Sequence, residues 1–233
     1  MVDAKLDSYL ANYTKFNDWL IQRRYEHLSQ YFAGKCCLEL GSAEGSGTPY
    51  LLDSFDEVTI VDGSKDALRS VAKKLASPKL TAVHSYFEDL DLNGKKFDTI
   101  VLAHILEHVD DPVATLRIAK TFLNKGGVII ADVPNGSSLH RQVGVKMGML
   151  KTKTDLNDAD LSIGHQRVYT PETFKNDINK AGLAVETFGG MFVKVTSNSQ
   201  TEEVFNTDQL EALFQVGVDN PEIAAEIFVI CRA

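Results

Sequence analysis

Five times between residues 36 and 133 a short apolar run gives way to a longer segment, and this alternation leaves few folds open. The runs are Cys36–Leu40, Val58–Val61, Leu80–His84, Thr99–Ala103 and Val128–Val133. Each is brief, rich in β-branched residues and bounded by Gly, Asp, Asn or Lys. Between them Thr48–Ser54, Ser64–Ala76 and Pro112–Leu123 have helical spacing. Strands that are apolar along their whole length are buried on both faces, and the alternating helices supply the cover. The pattern predicts an α/β chain with a doubly wound, Rossmann-like, mostly parallel sheet.

The flanking segments follow other rhythms. Leu6, Tyr9, Leu10, Tyr13, Phe16, Leu20, Tyr25 and Leu28 recur at helical spacing, so residues 1–33 read as an N-terminal helical cap. After the fifth strand, Ser137–Leu150 reads as a helix and Lys151–Ile163 as a polar loop. An insertion at 137–170, beyond the carboxyl end of a strand, is placed to cover a ligand. Thr170 caps a helix that opens on Pro171 and stops at Gly182. Ala184–Phe188 and Met191–Val195 read as one strand interrupted by Gly189-Gly190. A helix near Glu202–Val216 and a strand Ala225–Cys231 follow. The chain reads as one domain, with a core at 35–135 and the rest of the sheet at 171–233.

Composition narrows the partners. The 233 residues carry a net charge of −8, which repels phosphate backbones and disfavours nucleic acid. The basic residues Arg141, Lys146, Lys151 and Lys153 read as a solvated helix face and loop. No run approaches the roughly 20 apolar residues of a membrane span, and the first ten residues lack a secretory pattern. Cys36, Cys37 and Cys231 form neither a disulfide framework nor a zinc spacing, and read as buried thiols in a reducing, cytoplasmic setting. The acidic run Asp155, Asp158, Asp160 lacks the glycine and terminal glutamate of a calcium loop, so no metal site is expected.

The first strand runs into Glu39-Leu40-Gly41-Ser42-Ala43-Glu44-Gly45-Ser46-Gly47. Glycines there allow positive φ and a close approach of backbone to ligand. Asp62 follows Gly41 by 21 residues, where an acid accepts hydrogen bonds from ribose hydroxyls. Strand, turn, helix and acid together point to an adenosine-containing cofactor. The dinucleotide fingerprint fails at Ala43 and Ser46, and the phosphate-loop pattern lacks its Gly-Lys-Ser/Thr. Glu39 would repel a pyrophosphate and suits a cationic amino group, which favours a sulfonium nucleoside.

Further pieces stand in register: Val61-Asp62-Gly63-Ser64, Phe97-Asp98-Thr99-Ile100-Val101, Ile105-Leu106-Glu107-His108-Val109, Leu123-Asn124-Lys125-Gly126-Gly127 and Val133-Pro134-Asn135. With the glycine turn they make the chain resemble the class I S-adenosylmethionine-dependent methyltransferases of small-molecule type, closely over 35–135 and more loosely over 165–193. The resemblance implies a seven-stranded sheet of order 3-2-1-4-5-7-6 with the last strand antiparallel. It implies S-adenosylmethionine as cofactor and S-adenosylhomocysteine as product. Glu39, Gly41, Ala43 and Gly45 would then wrap the methionyl portion and ribose, and Asp62 would hold the ribose hydroxyls. Gly63 and Ser64 would lie beside the adenine. Tyr86 stands where the family commonly has Asp, leaving Phe87 for adenine stacking and Glu88 for polar contact. Ala103 and His104 would face the methionyl side, and Tyr13 and Arg24 of the cap are candidates for its carboxylate. His108 reads as structural.

Methyl transfer to oxygen also calls for a base, and histidine suits neutral pH. Of the six histidines, His165 in Gly164-His165-Gln166-Arg167 lies where related enzymes place a histidine near substrate, with His140 in reserve. Lys194 and Ser197-Asn198-Ser199-Gln200 could read a polar or anionic acceptor. The expected function is methyl transfer to oxygen or nitrogen of a small polar metabolite, by a monomer or homodimer. Methylation of tRNA or rRNA and a non-catalytic cofactor-binding role stay open as alternatives.

Overall fold

A computed structural model describes residues 14–232. Its seven strands are β1 Cys36–Leu40, β2 Glu57–Asp62, β3 Leu80–His84, β4 Phe97–Ala103, β5 Leu123–Pro134, β6 Val185–Met191 and β7 Glu226–Arg232. They form one sheet of order β3-β2-β1-β4-β5-β7-β6. The first five pair in parallel, and β7 runs antiparallel to both β5 and β6. This is the doubly wound topology expected above.

Helices cover both faces. On one side lie α1 Lys15–Leu28, α2 Thr48–Ser54 and α3 Lys65–Leu75. There Ile21 and Tyr25 of α1 and Val71 of α3 pack with Cys37, Ile60 and Val101 of the strands. On the other side are α4 Pro112–Thr121 and α7 Pro171–Lys180, where Leu116, Phe174 and Ile178 bury against Leu38, Ile100 and Ile129. Between them in sequence stand α5 Leu139–Lys146 and α6 Asp158–Ile163, followed after β6 by α8 Asn198–Val204 and α9 Thr207–Asp219. Phe16, Leu20 and Leu28 of α1 join Phe214 and Phe228 in a further cluster over β5 and β7. Each such side chain contributes about 1.5–3 kcal/mol by burial, so α1 is part of the core structure and no loose cap. Tyr13 lies outside the described residues.

Four boundaries differ from the sequence reading, each for a local reason. The fifth strand begins at Leu123, since α4 closes where the Phe122 N–H meets the carbonyls of Ala119 and Lys120. Gly189-Gly190 do not interrupt β6. A Cβ at Gly189 would come 2.3 Å from the Phe228 ring and one at Gly190 2.6 Å from Pro221, so these glycines admit close neighbours. The strand ends instead before Phe192, whose φ of +58° turns the chain. The single helix expected near 202–216 is two, because Asn206 and Gln209 form a capping box that starts α9 anew. The segment expected as loop ends in α6, nucleated by the Asn157–Asp160 capping box.

Candidate functional site

The strand order reverses between β1 and β4, and a crevice opens there at the carboxyl ends of the parallel strands. It is a cavity of about 570 Å³ bordered by Glu39, Gly41, Asp62, His104, Glu107 and His165 among others. The size suits a small-molecule site.

One end is the glycine turn. Gly41 has φ +82° and Gly45 +73°, while Ala43 adopts +43° without being glycine. Asp62 holds the turn open: its Oδ2 accepts from the Ala43 N–H at 2.9 Å and its Oδ1 from the Ser64 N–H at 2.8 Å. Glu39 is 4% exposed. It accepts from Thr48 Oγ1 at 2.7 Å and from the Tyr25 hydroxyl at 3.3 Å. Burial nevertheless pushes its carboxyl up to about 7. A desolvated acid in a cavity wall is the partner a ligand cation needs, and Ser42 Oγ and Glu44 Oε2 in the same turn are buried without hydrogen-bond partners. These features fit the amino group and hydroxyls of S-adenosylmethionine.

Ser64 and Ala103 border the cavity with the residues above, whereas Gly45, Gly63, Phe87 and Glu88 lie off its wall. Phe87 packs inward. The turn Phe87–Asp89 directs its ring toward the central apolar cluster, while the exposed Tyr86 flanks Gly63, its ring 3.1 Å from where a Cβ would stand. The residue set aside as a departure is the aromatic beside the turn after β2.

The other end is ionic. Arg24 gives Glu226 two hydrogen bonds, from Nε at 3.0 Å and from Nη2 at 2.6 Å, and its Nε lies 3.4 Å from Asp132. Arg24 is thus committed to β7, which differs from a role reserved for a ligand carboxylate. His104 has φ +51° and sets Nε2 3.2 Å from Asp132 and 3.4 Å from Glu226. Burial and Arg24 oppose its charge, but Glu226 and Asp132 prevail and hold its pKa near 9. Glu226 is itself held well below the usual carboxylate range: burial opposes, and Arg24 and His104 outweigh it.

His165 is clamped from both sides. Its Nδ1 lies 3.3 Å from Asp160 and its Nε2 3.9 Å from Glu107. Its ring stands edge-on to His108 with centroids 4.7 Å apart. The Gln166 N–H donates to the Glu107 carbonyl at 2.8 Å and Arg167 to the Leu106 carbonyl at 2.7 Å, which straps this segment to the loop after β4. His140 also borders the cavity, but burial and then Lys194 and Arg141 push its pKa down to about 3. That favours the neutral imidazole. The half-buried Lys194 donates to Asn198 Oδ1 at 2.7 Å.

Glu107, Asp132, Asp160 and Glu226 carry much of this geometry, and none of them was read from sequence as a site residue. A signal existed for two: Asp132 and Glu226 are carboxylates inside otherwise apolar strands, and charges are almost never fully buried unless paired. Asp160 belongs to no calcium loop. It accepts from Arg141 at 3.1 Å and caps α6.

A glycine turn after the first strand and an acid after the second, at the switch point of a 3-2-1-4-5-7-6 sheet, define a class I methyltransferase fold. A family model described as a methyltransferase domain matches residues 13–187, and the chain belongs to that family. It is 28% identical over 137 residues to the tRNA U34 carboxymethyltransferase of Campylobacter jejuni, covering 56% of this chain and 44% of that protein. It is 29% identical over 110 residues to a ubiquinone biosynthesis O-methyltransferase of Haemophilus ducreyi, covering 44% and 46%. The chain spans about half the length of the curated relatives it matches. An S-adenosylmethionine-dependent methyltransferase from Mesorhizobium loti shares the fold with a TM-score of 0.62 at 16% identity, over 91% of this chain and 96% of that one. S-adenosylmethionine is the cofactor of the superfamily. Among the described residues no helix is long and apolar enough to cross a membrane.

Proposed function

We propose that this protein transfers a methyl group from S-adenosylmethionine to an oxygen or nitrogen of a small polar metabolite. The observation that carries this reading is one cavity with two chemically distinct ends. Glu39 and Asp62 stand at the glycine turn, and Glu107, His165 and Lys194 border the same cavity.

Bound cofactor supplies an electrophilic methyl on a sulfonium; the chain aligns, desolvates and handles the proton. Glu39 meets the amino group, and its carboxylate is favoured once a cation lies against it. Asp62, already fixed by the Ala43 and Ser64 amides, presents its remaining acceptor capacity to the ribose hydroxyls. His165, with Nδ1–H given to Asp160, turns the Nε2 lone pair inward and takes the acceptor's proton as the new bond forms. Lys194 favours an acceptor with a polar or anionic group. The Arg24–Glu226 pair ties α1 to β7 beside the cavity and limits water.

The test is an assay of a metabolite library for S-adenosylhomocysteine release, alongside thermal shifts with S-adenosylhomocysteine and NAD. Stabilisation by NAD alone would sink the cofactor reading. His165→Ala should keep the S-adenosylhomocysteine shift and lower turnover of an oxygen acceptor about 10²–10⁴-fold. The Campylobacter relative favours a second reading, a tRNA acceptor, which the net charge of −8 disfavours. Methyl incorporation into tRNA, with none into metabolites, would select it.

A further inference from the structure

One part of the cavity wall gathers donors around one carboxylate. Potential ligand atoms of Glu107, His108 and His165 lie within 4.8 Å of one another. Both Glu107 oxygens are buried without a hydrogen-bond partner on another residue, and the residue is 1% exposed yet borders the cavity. A carboxylate so placed is costly unless a cation or proton meets it.

Two histidines lie near it. His165 sets Nδ1 3.3 Å from Asp160 and Nε2 3.9 Å from Glu107 Oε1. His104 sets Nε2 3.2 Å from Asp132 and Nδ1 3.5 Å from that same Glu107 oxygen. The His165 ring can give its Nδ1–H to Asp160 and turn Nε2 inward, the arrangement that orients metal-bound imidazoles, whereas His104 stays engaged with Asp132, Glu226 and Arg24, whose Nη2 lies 3.0 Å from its Nε2. The separation of His165 Nε2 from Glu107 is long for a hydrogen bond. It matches two ligands of one ion: groups each about 2.0–2.2 Å from a metal stand about 3–4 Å apart. Asp160 is braced in turn by Arg141 at 3.1 Å and by the Asn157 N–H at 3.1 Å.

We propose that Glu107, His108 and His165 hold a divalent transition-metal ion beside the acceptor. Imidazoles with one carboxylate suit Zn²⁺, Mn²⁺, Fe²⁺ or Co²⁺ and are a poor set for Mg²⁺ or Ca²⁺. The adjoining trio His104, Asp132 and Glu226 also brings ligand atoms together, but Arg24 already lies against both of its carboxylates. That fixed charge disfavours a second cation there. The inference rests on the methyltransferase reading only for the acceptor's position, and it changes one role. In the loaded protein His165 is a ligand. An oxygen acceptor reaching the ion has its pKa lowered, its proton leaves to solvent, the oxygen–carbon bond forms, and the carbon–sulfur bond breaks with its pair kept on sulfur.

The test takes the full chain, stripped with chelator, and titrates it with Co²⁺, Zn²⁺ and Mg²⁺ while following Co²⁺ absorption and thermal unfolding. One equivalent of Co²⁺ or Zn²⁺ should raise the unfolding midpoint and Mg²⁺ should not. Glu107→Gln and His165→Ala should abolish the shift and weaken Co²⁺ binding by about 100-fold or more, and Asp160→Asn by about 10–100-fold. Glu107→Gln should fold at least as well as the metal-free wild type, because it removes a buried charge; an S-adenosylhomocysteine shift reports the fold of each variant. No binding of Co²⁺ or Zn²⁺, or binding unchanged in Glu107→Gln, overturns the proposal. Methyl transfer that proceeds in chelator with no metal bound removes the ion and leaves the methyltransferase reading. Metal binding without S-adenosylhomocysteine binding keeps the ion and removes that reading.

Discussion

Glu226 receives two hydrogen bonds from Arg24, at 3.0 and 2.6 Å, across a sequence separation of 202 residues. The pair joins the first described helix to a strand in the interior of the sheet, and both side chains are at most 10% exposed. Removing one partner strands a buried charge. Arg24→Met should therefore cost about 3–5 kcal/mol in a urea titration. The double variant Arg24→Met/Glu226→Gln should cost less than the two single losses combined. A single-variant cost under about 1 kcal/mol would show that water reaches the pair.

Glu39 sets a pH dependence on cofactor binding. Its carboxyl stands at about 7 in the ligand-free protein, and a cationic amino group favours the ionised form. Binding below pH 7 must therefore release a proton, and affinity for S-adenosylhomocysteine should rise with pH through 7. It should fall again once the ligand's amino group, about 7.7–8.0 for a free α-amine, loses its charge. Calorimetry across this range checks both limbs. Glu39→Gln should flatten the rising limb and weaken binding by about 1.5–3 kcal/mol. In the ligand-free protein the raised pKa stabilises fully below the unfolded value, and that contribution is lost as pH rises through 7.

Two glycines with similar backbone angles should respond differently to alanine. Gly41 has φ +82°, and a Cβ there would stand 2.5 Å from Ile105 Cδ1. Gly94 has φ +77° and nothing within 4 Å of such a Cβ. Gly94→Ala should cost only the left-handed strain of about 1–2 kcal/mol. Gly41→Ala should add an overpacking cost of about 1–3 kcal/mol and lose the S-adenosylhomocysteine thermal shift. Equal effects would mean that Ile105 yields freely.

Lys194 separates acceptor from cofactor. Lys194→Met keeps the stem and removes the ammonium. With an anionic acceptor it should raise KM about 10–100-fold, the size of a lost charged hydrogen bond, while the S-adenosylhomocysteine affinity stays within about twofold. Unchanged KM for every anionic acceptor tested would place the acceptor elsewhere in the cavity.

The scaffold was legible because its signals are local. Five apolar runs, the turn at Gly41 and the acid at position 62 each declare themselves within a few residues. The terminal strand order came from the resemblance, since periodicity does not say where β7 inserts. Glycines 189 and 190 misled because a pair of glycines marks a break only when the backbone needs freedom; here Phe228 and Pro221 need the space. Phe87 and the exposed Tyr86 face different ways because one step along a turn rotates a side chain from the core to the surface. The ionic end was hidden for a different reason. Arg24, His104, Asp132 and Glu226 come from four separate elements, and only the finished sheet brings them together.

The insertion of β7 between β5 and β6 also has a consequence for synthesis. Chains are made from the amino end, and residues 36–64 already contain the turn, Glu39 and Asp62. Glu226 arrives only with β7, so Arg24 waits for its partner while most of the chain is made. The ion pair between Arg24 and Glu226 therefore closes only after every other strand of the sheet has been made.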